Sequence, residues 1–527
     1  MNRHVLTTSV VTILTFTGLS ARPMPSAPKL VVGITIDQLR TDYVETFSDL
    51  FGENGFKRLW RDGRVYRDTE YTFTNPDRAS AVAAIYTGTT PSLNGIIAEY
   101  WMDRATLRPL YCAEDHAFMG NYTDENSSPS HLLTSTIADE LKITTKGKGL
   151  VYAVSPFRET AIFAAGHAGD GAFWLNSSTG KWCGTTYYGE FPLWVNRYNE
   201  RNALDFRIDN IVWSPLLPEN RYTYLISEWG KDTFKYKFEG TRTNKYKRFV
   251  TSPLINDEVN ALAEEFMNNS AIGKDEIPDM LLLTYYAGLY NNMNSHECAL
   301  EIQDAYVRLD KSIARLIELV EKKYGLQNVI FFITSTGHTK PDAPDLNKYR
   351  IPTGEFHLNR CAALLNIYLM ATYGEGQYVE AYYNRQIYLN QKLIEDKRLD
   401  LAEIQDRCAD FLIQFSGVNN AYSAHRLLSG TWAPDTDKIK NSFNRRQSGD
   451  LLIDVLPGWI VANENPMLSK VVRYAHAPAP LIFMGGGIKP DVIYTSVSAD
   501  HIAPTLAHFM RIRAPNACKA VSLGDMW

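Results

Sequence analysis

The sequence predicts an α/β protein with a mostly parallel central sheet and helices on both faces. Short, continuous apolar runs are typical of parallel strands that are buried on both faces. These runs cover residues 30–36, 149–154, 280–284, 329–334 and 481–484. Amphipathic stretches with helical spacing separate several of them. Alternation of strands with helices favours a parallel sheet that helices cover on both sides.

The first of these strands ends in an acidic residue. Residues 30–36 are apolar, and Asp37 follows directly. Open α/β sheets place their sites at the carboxyl ends of the strands, so Asp37 is expected to coordinate a metal or to orient a ligand. The alternative is a structural role as the cap of the next helix.

The later elements follow the same pattern. In residues 301–322 the side chains of Ile302, Tyr306, Leu309 and Ile313 recur near the helical period. An aromatic, Asn- and Lys-rich segment interrupts the alternation after residue 182, and a second insertion contains a strand-like run at 362–371 before further helices. The predicted organisation is a core of residues 28–182, 261–354 and 448–527, with an insertion at 183–260 and an inserted cap at 355–447.

Composition places the chain among globular proteins. Of its 527 residues, 45% are hydrophobic and 21% are charged, and the net charge is −5. There is no basic run, so a nucleic-acid partner is excluded. The six cysteines have no CxxC spacing, which argues against a metal knuckle and leaves any disulfide pairing open.

The N-terminus is typical of an export signal. A short positive start at Arg3 precedes an apolar run over residues 5–19, and small residues follow at Ser20 and Ala21. An uncleaved anchor is the alternative, although the run is short for a membrane span. We therefore expect residues 1–21 to be a signal peptide. The mature protein should be periplasmic or extracellular, with no span after cleavage.

Seven sequence blocks from residue 31 to residue 510 carry a family resemblance. They resemble the alkaline phosphatase superfamily, specifically exported bacterial phosphatases related to nucleotide pyrophosphatase/phosphodiesterases. The blocks are VVGITIDQLRTDY at 31–43, GFKRLWRDG at 55–63, IYTGTTPSLNGI at 85–96, AGHAGDGAFW at 165–174, EIQDAYVRLDK at 301–311, PLIFMGGGI at 480–488 and DHIAPTLAHFM at 500–510. The resemblance implies the same α/β fold.

The resemblance also implies a two-zinc site with a Thr or Ser nucleophile. In such a site, carboxylates and imidazoles hold the zincs, which activate the nucleophile and neutralise the transferring phosphoryl group. Asp37 matches the first metal aspartate. An ungapped count from either flanking block places Arg78 in the nucleophile position. We therefore expect an Arg78–Asp37 ion pair where the family holds metal.

The other metal positions also depart from the family. An Asp and a His four residues later are expected after the strand near residue 280, but the count gives Leu289 and Met293. A second Asp-His pair is expected after residues 329–334, and Thr336 and Gly337 stand there. These four residues are not ligands of a catalytic zinc.

The phosphate-binding positions differ as well. The expected Lys and Arg before the AGHAGDGAFW block are Phe157 and Glu159, and an Asn expected after the IYTG block is Glu99. The basic phosphate clamp of the family is therefore absent from these positions.

Two alternative assignments of the site residues would make the protein an active hydrolase. Thr74, Pro76 and Arg78 fit the [Cys/Ser/Thr]-x-Pro-x-Arg pattern of sulfatases, with Thr74 as the nucleophile. Alternatively, shifted ligands such as His338 and His476 could join Asp37 in a single metal site.

The sequence thus favours an exported pseudoenzyme with a binding, assembly or regulatory role at the cell envelope and with no cofactor. Its partner would be an envelope protein or a glycan. The alternative is a divergent phosphatase, phosphodiesterase or sulfatase-like hydrolase that uses zinc.

Overall fold

A computed structural model describes most of the chain. The described residues are 26–225, 233–240, 242–293, 297–337, 350–430, 434–462, 470–471, 477–524 and 526. The predicted signal peptide, His338 and His476 lie outside them, so those predictions stay as they are.

Strands and helices alternate along the described chain. The strands are β1 Leu30–Asp37, β2 Arg64–Tyr66, β3 Thr69–Glu70, β4 Tyr100–Asp103, β5 Arg108–Tyr111, β6 Gly120–Asn121, β7 Val151–Ser155, β8 Gly171–Leu175, β9 Trp182–Thr185, β10 Val212–Trp213, β11 Tyr236–Lys237, β12 Asp279–Tyr286, β13 Val329–Ser335, β14 Glu355–Phe356, β15 Val379–Tyr383, β16 Gln386–Leu389, β17 Val418–Ser423, β18 Leu451–Val455, β19 Ile460–Val461, β20 Lys470–Val471, β21 Leu481–Gly485, β22 Asp491–Ile493 and β23 Val497–Ser498. The α-helices are α1 Thr41–Thr46, α2 Phe56–Asp62, α3 Arg78–Thr87, α4 Pro91–Asn94, α5 Ile137–Thr144, α6 Arg158–Ala165, α7 Leu193–Arg201, α8 Arg242–Val250, α9 Ile255–Asn269, α10 Ala299–Tyr324, α11 Leu358–Tyr373, α12 Gln391–Asp396, α13 Leu401–Leu412, α14 Ala424–Ser429, α15 Pro434–Ser442 and α16 Ile502–Met510.

The centre of the protein is a mixed sheet of ten described strands in the order β22-β2-β21-β13-β1-β12-β7-β8-β9-β6. Its middle strands β13, β1, β12, β7 and β8 are parallel. The α/β prediction is confirmed, and each of the five predicted strands is present. The prediction was wrong about the direction of residues 481–484, because β21 runs antiparallel to β13.

Helices bury both faces of this sheet. Leu30, Val32 and Ile34 belong to the core on one face, together with apolar side chains of α9 and α10. Val31 points to the opposite face and packs in a second core with α3, α6 and α16. Side chains alternate along a strand, so Asp37 lies on the same face as Val31. The end of β1 therefore presents its carboxylate to the start of α3.

A second, smaller sheet in the order β15-β16-β18-β17 forms the cap. It has its own core with α11 and α13. The sequence predicted a cap over residues 355–447, and β18, which follows that range, pairs with both β16 and β17. The predicted strand over 362–371 is wrong, because these residues lie inside helix α11.

Hydrogen bonds connect the cap to the rest of the protein, which we call the large domain. Arg104, in the turn between β4 and β5, places its Nη1 3.1 Å from Asp450 Oδ2 and its Nη2 3.1 Å from the Ser448 carbonyl oxygen. Asp450 is buried and also accepts hydrogen bonds from cap residues, including Gln405 Nε2 at 2.9 Å. On α15, Asn441 Nδ2 donates to the Thr72 carbonyl oxygen at 2.8 Å. The cap is thus hydrogen-bonded to the β4–β5 hairpin and to the segment that follows β3.

The aromatic segment after residue 182 is anchored by one buried carboxylate. Asp304 on α10 accepts hydrogen bonds from Trp213 Nε1 at 2.6 Å, the Leu216 backbone N–H at 2.6 Å and the Tyr222 hydroxyl at 2.7 Å. These bonds compensate the carboxylate for the loss of water.

Within the described ranges, no helix combines the length and the apolarity that a bilayer crossing requires. All six cysteines are described, and those at positions 112, 183, 361, 408 and 518 are free thiols.

Candidate functional site

The site lies where β1 ends against the N-terminus of α3. Asp37 is the last residue of β1 and is fully buried. Its Oδ1 accepts a hydrogen bond from Thr336 Oγ1 at 2.8 Å. Its Oδ2 lies 3.3 Å from Arg78 Nη1. The predicted ion pair between Asp37 and Arg78 is therefore present.

The start of α3 fixes the position of Arg78. Asp77 precedes the helix, and its Oδ1 accepts a hydrogen bond from the Ser80 backbone N–H at 2.9 Å. Ser80 Oγ in turn accepts from the Asp77 N–H at 3.0 Å, which completes a capping box. Arg78 is thus the first helical residue. A cation is unfavourable at this end of the helix dipole, so its charge requires nearby anions.

Three carboxylates surround the guanidinium of Arg78. Besides Asp37, its Nε donates to Glu159 Oε1 at 2.5 Å, and its Nη2 lies 4.0 Å from Glu99 Oε2. Glu159 is 2% exposed, whereas the side chain of Glu99 is 40% exposed. Glu159 stands in the first turn of α6, where a negative charge is favourable. Arg78 therefore joins β1, α3 and α6 at one point.

Aromatic rings complete the enclosure. The guanidinium carbon of Arg78 lies 3.6 Å from the centre of the Phe157 ring, a cation–π contact. The Tyr111 hydroxyl donates to Glu159 Oε2 at 2.6 Å, so both oxygens of that carboxylate are engaged. Arg158 stacks over the Tyr111 ring at 3.7 Å.

The ionisation of the cluster follows from these contacts. Burial opposes the positive charge of Arg78, but Glu159, Asp37 and Glu99 outweigh burial and raise the pKa of the guanidinium well above its ordinary value. Burial likewise opposes the charge of Glu159, yet Arg78 and the Tyr111 hydroxyl hold its pKa below the usual range. Arg78 and Glu159 therefore favour their charged forms at neutral pH.

Thr336 and Gly337 follow the end of β13. The Thr336 hydroxyl accepts from the Gln38 backbone N–H at 3.1 Å and donates to Asp37. Gly337 has a φ of +63°, and a Cβ at this position would lie 2.9 Å from the Tyr71 ring. Here the two residues orient Asp37 and shape the loop.

Leu289 and Met293 lie after β12. Both are partly buried and pack against the core that contains α9 and α10. The Tyr286 hydroxyl donates to the Leu289 carbonyl oxygen at 2.8 Å. At these two positions the chain provides packing and offers no strong zinc ligand.

Thr74, the candidate nucleophile of the sulfatase-like alternative, contacts the cap. Its backbone N–H donates to Ser442 Oγ at 2.8 Å, and its Oγ1 lies 2.8 Å from the same oxygen. Asp500 accepts a hydrogen bond from the neighbouring Thr72 Oγ1 at 2.7 Å.

Zinc is the cofactor that the family resemblance implies, and the described residues do not fit it. Thr336 and Arg78 engage the two oxygens of Asp37, and Arg78 and Tyr111 engage those of Glu159. A guanidinium beside them would repel a dication. Across the described ranges, no group of three or more His, Cys, Asp or Glu side chains is arranged to hold a metal.

Sequence reasoning missed two participants. Tyr111 binds Glu159, and Ser442 on α15 binds Thr74, but neither residue belongs to a sequence motif that points to the site. The sequence signal nearest to Tyr111 was Arg158, which lies between Phe157 and Glu159 and stacks on the Tyr111 ring.

Comparison with known proteins gives a consistent result. The model of the type I phosphodiesterase/nucleotide pyrophosphatase family matches residues 31–476. Alkaline phosphatase PafA of Elizabethkingia meningoseptica is 29% identical over 507 residues, which cover 93% of this chain and 92% of that protein. Alkaline phosphatase PhoV of Synechococcus elongatus is 28% identical over 523 residues, covering 95% and 93%.

Solved structures agree with this similarity. The crystal structure of wild-type PafA superposes with a TM-score of 0.83 at 27% identity, covering 95% of this chain and 99% of that one. Murine ectonucleotide pyrophosphatase/phosphodiesterase 5 gives a TM-score of 0.51 at 12% identity, covering 94% and 98%, and this likeness concerns the fold alone.

Proposed function

We propose that this chain, which belongs to the type I phosphodiesterase/nucleotide pyrophosphatase family as its sequence blocks predicted, is a member without hydrolytic activity. In this proposal the fold is retained for binding, assembly or regulation. The export signal that the N-terminal residues predict puts this role at the cell envelope, with an envelope protein or a glycan as partner.

One observation carries the proposal: the guanidinium of Arg78 lies among the carboxylates at the end of β1. It occupies the space beside Asp37 with its Nη1 at 3.3 Å and is bound to Glu159 at 2.5 Å. A guanidinium that is protonated at any physiological pH cannot act as a nucleophile toward phosphorus. Its charge also takes the place that a metal would need.

The charge of the site argues in the same direction. Asp37, Glu99 and Glu159 bring three carboxylates to one arginine. Phosphate sites need positive charge and donors that are directed at the anion. Here the guanidinium donors already point at protein carboxylates, so a phosphate ester would meet net repulsion.

A second candidate is a divergent metal-dependent hydrolase. The observation that favours it is the 29% identity to alkaline phosphatase PafA over nearly the whole chain. This candidate requires Thr74 or another hydroxyl as nucleophile and His338 and His476 as ligands.

The decisive experiment measures turnover and zinc content of the purified protein. We expect negligible zinc-dependent hydrolysis of generic phosphate mono- and diesters, and less than one equivalent of tightly bound zinc. The back-substitution Arg78→Thr alone should restore nothing, because the residues at the metal positions still cannot hold zinc.

The control for adventitious phosphatase is the variant Asp37→Ala. Residual activity that persists in Asp37→Ala comes from a contaminant. Robust zinc-dependent hydrolysis that disappears in Asp37→Ala would refute the proposal and establish the hydrolase.

A further inference from the structure

Helix α11 of the cap is apolar on two opposite faces. Its inner face buries Cys361, Leu365 and Leu369 in the core of the cap. Its outer face carries Leu364, 48% exposed, and Ile367, 61% exposed. An amphipathic helix on the surface of a domain would carry polar side chains at these outer positions.

The outer apolar side chains form a continuous stripe. Ala363, Leu364, Ile367, Met370 and Ala371 recur at spacings of three and four residues, so they lie on one side of the helix. All five are exposed. We call this set the α11 stripe. Contiguous exposed apolar surface of this kind marks an interaction site more often than isolated exposed residues do.

Opposite charges stand at the two ends of the stripe. Arg360 lies in the first turn of α11, and Glu375 lies just beyond the helix end, and both are exposed. Neither side chain forms an ion pair within the part of the chain that the structure describes. Arg360 precedes Ile367 by seven residues, and Glu375 follows it by eight.

We propose that the α11 stripe binds the α11 stripe of a second copy of this chain, antiparallel, about a two-fold axis beside Ile367. In such an isologous contact the same surface of both copies meets, and the two helices run in opposite directions. Because Arg360 and Glu375 lie at nearly equal distances from Ile367, Arg360 of each protomer then lies opposite Glu375 of the other.

The side-chain sizes also suit this arrangement. An antiparallel register centred on Ile367 sets Ala363 opposite Ala371 of the second copy, and Leu364 opposite Met370. The small pair permits close approach of the helices, and the large pair flanks it, as in interdigitated helix packing. A second copy is therefore favoured over an unrelated partner, since α11 and the residue just beyond its C-cap supply both the apolar surface and the complementary charges.

The contact involves little more than one helix face. Specific interfaces that bury less than about 1,200 Å² in total are weak and transient. We therefore expect a reversible dimer whose population rises with concentration, and not an obligate dimer.

Sedimentation equilibrium of the purified protein over a range of concentrations tests the proposal. We expect a monomer–dimer equilibrium, and Ile367→Glu should weaken dimerisation at least about tenfold, as for a central contact residue. The matched control is Leu193→Glu, at a 73% exposed position on α7, which should leave the equilibrium unchanged. A protein that stays monomeric throughout, or a dimer that Ile367→Glu does not weaken, would overturn the proposal.

A charge exchange tests the antiparallel register without touching the apolar residues. Arg360→Glu should weaken the dimer, because like charges then face each other at both ends. The double variant Arg360→Glu/Glu375→Arg should restore it. Both positions are exposed, so folding should be unaffected, which circular dichroism can check. If the double variant dimerises no better than Arg360→Glu, the register is wrong.

Discussion

At the scale of single residues, the main feature of the site is the positive charge that neutralises the buried Asp37. Asp37 and Glu159 are 0% and 2% exposed, and two isolated carboxylates at this depth would carry a large desolvation cost. Arg78 supplies their shared counter-ion, while Thr336 and Tyr111 donate hydrogen bonds to the remaining oxygens. The sequence count identified the arginine and the aspartate, but it could not identify the hydroxyl donors.

Removing the Arg78 side chain should therefore lower the free energy of unfolding more than removing a surface arginine would. We predict that Arg78→Met lowers the free energy of unfolding by about 3–5 kcal/mol, because it leaves two buried carboxylates without a counter-charge. Chemical denaturation measures this. The control Arg61→Met removes an exposed arginine and should lower the free energy of unfolding far less, because exposed ion pairs contribute little. An equal effect of the two substitutions would contradict the role assigned to Arg78.

A second residue pair predicts pH dependence. His167 Nδ1 lies 3.0 Å from Asp139 Oδ2, and its Nε2 lies 2.9 Å from the Leu132 carbonyl oxygen. Burial alone would lower the pKa of His167, but Asp139 outweighs it and holds the pKa above the usual range. Since the folded state binds this proton more tightly, the pair's contribution is complete below about pH 6.5 and is lost as pH rises through the folded pKa.

The wild type should therefore unfold at a higher temperature than His167→Gln. The difference between their thermal midpoints should be largest near pH 6 and should shrink toward pH 9. Differential scanning calorimetry at several pH values measures it. His116→Gln, at an exposed imidazole, serves as the control. A difference that grows with pH would show that the pair acts in the opposite sense.

At the scale of elements, the strands were predicted well and the cap was not. A strand that is buried on both faces is a continuous apolar run, as in β1, β12 and β13, and such runs are visible in sequence. Helix α11 is apolar on its inner and outer faces, so its helical period was hidden and its residues resembled a strand. The predicted cap boundary at residue 447 stays a prediction, and in the structure β18 pairs with β16 and β17 of the small sheet.

The junction between the cap and the large domain yields a prediction for an element. We expect Arg104→Ala to loosen the cap locally, since it removes one charged hydrogen bond to Asp450 and one to the Ser448 carbonyl oxygen. Such bonds contribute about 1.5–3 kcal/mol each, but Asp450 keeps other donors. Amide hydrogen exchange in β16 and β18 should therefore speed up about tenfold.

The exposed Arg108 of the same hairpin provides the control, and Arg108→Ala should leave this exchange unchanged. If Arg104→Ala changes exchange nowhere in β16 or β18, then Arg104 does not hold the cap.

At the scale of the whole molecule, the family fold carries a cluster of Arg78 and carboxylates at the end of β1. The superposition on wild-type PafA, with a TM-score of 0.83, extends over 95% of the chain. The cores on the two faces of the sheet depend on many apolar positions, and volume-conserving changes among them are tolerated. The site depends on a few polar residues, and replacing these alters the chemistry while the cores stay intact. Under the proposed function, this family member would keep the fold without the activity.

The sequence by itself determined the α/β class, the middle strands of the sheet, the end of β1 at Asp37 and the spacing that brings Arg78 to it. These features depend on local patterns and on counts along one chain. Only the tertiary structure decided that Glu159 and Phe157 contact the guanidinium and that Tyr111 binds Glu159. It also decided that β21 runs antiparallel and that α11 turns an apolar face outward. The physical reason is that these are contacts and exposures between segments far apart in sequence. They arise from the packing of the sheet, helices and cap, and no local period records them.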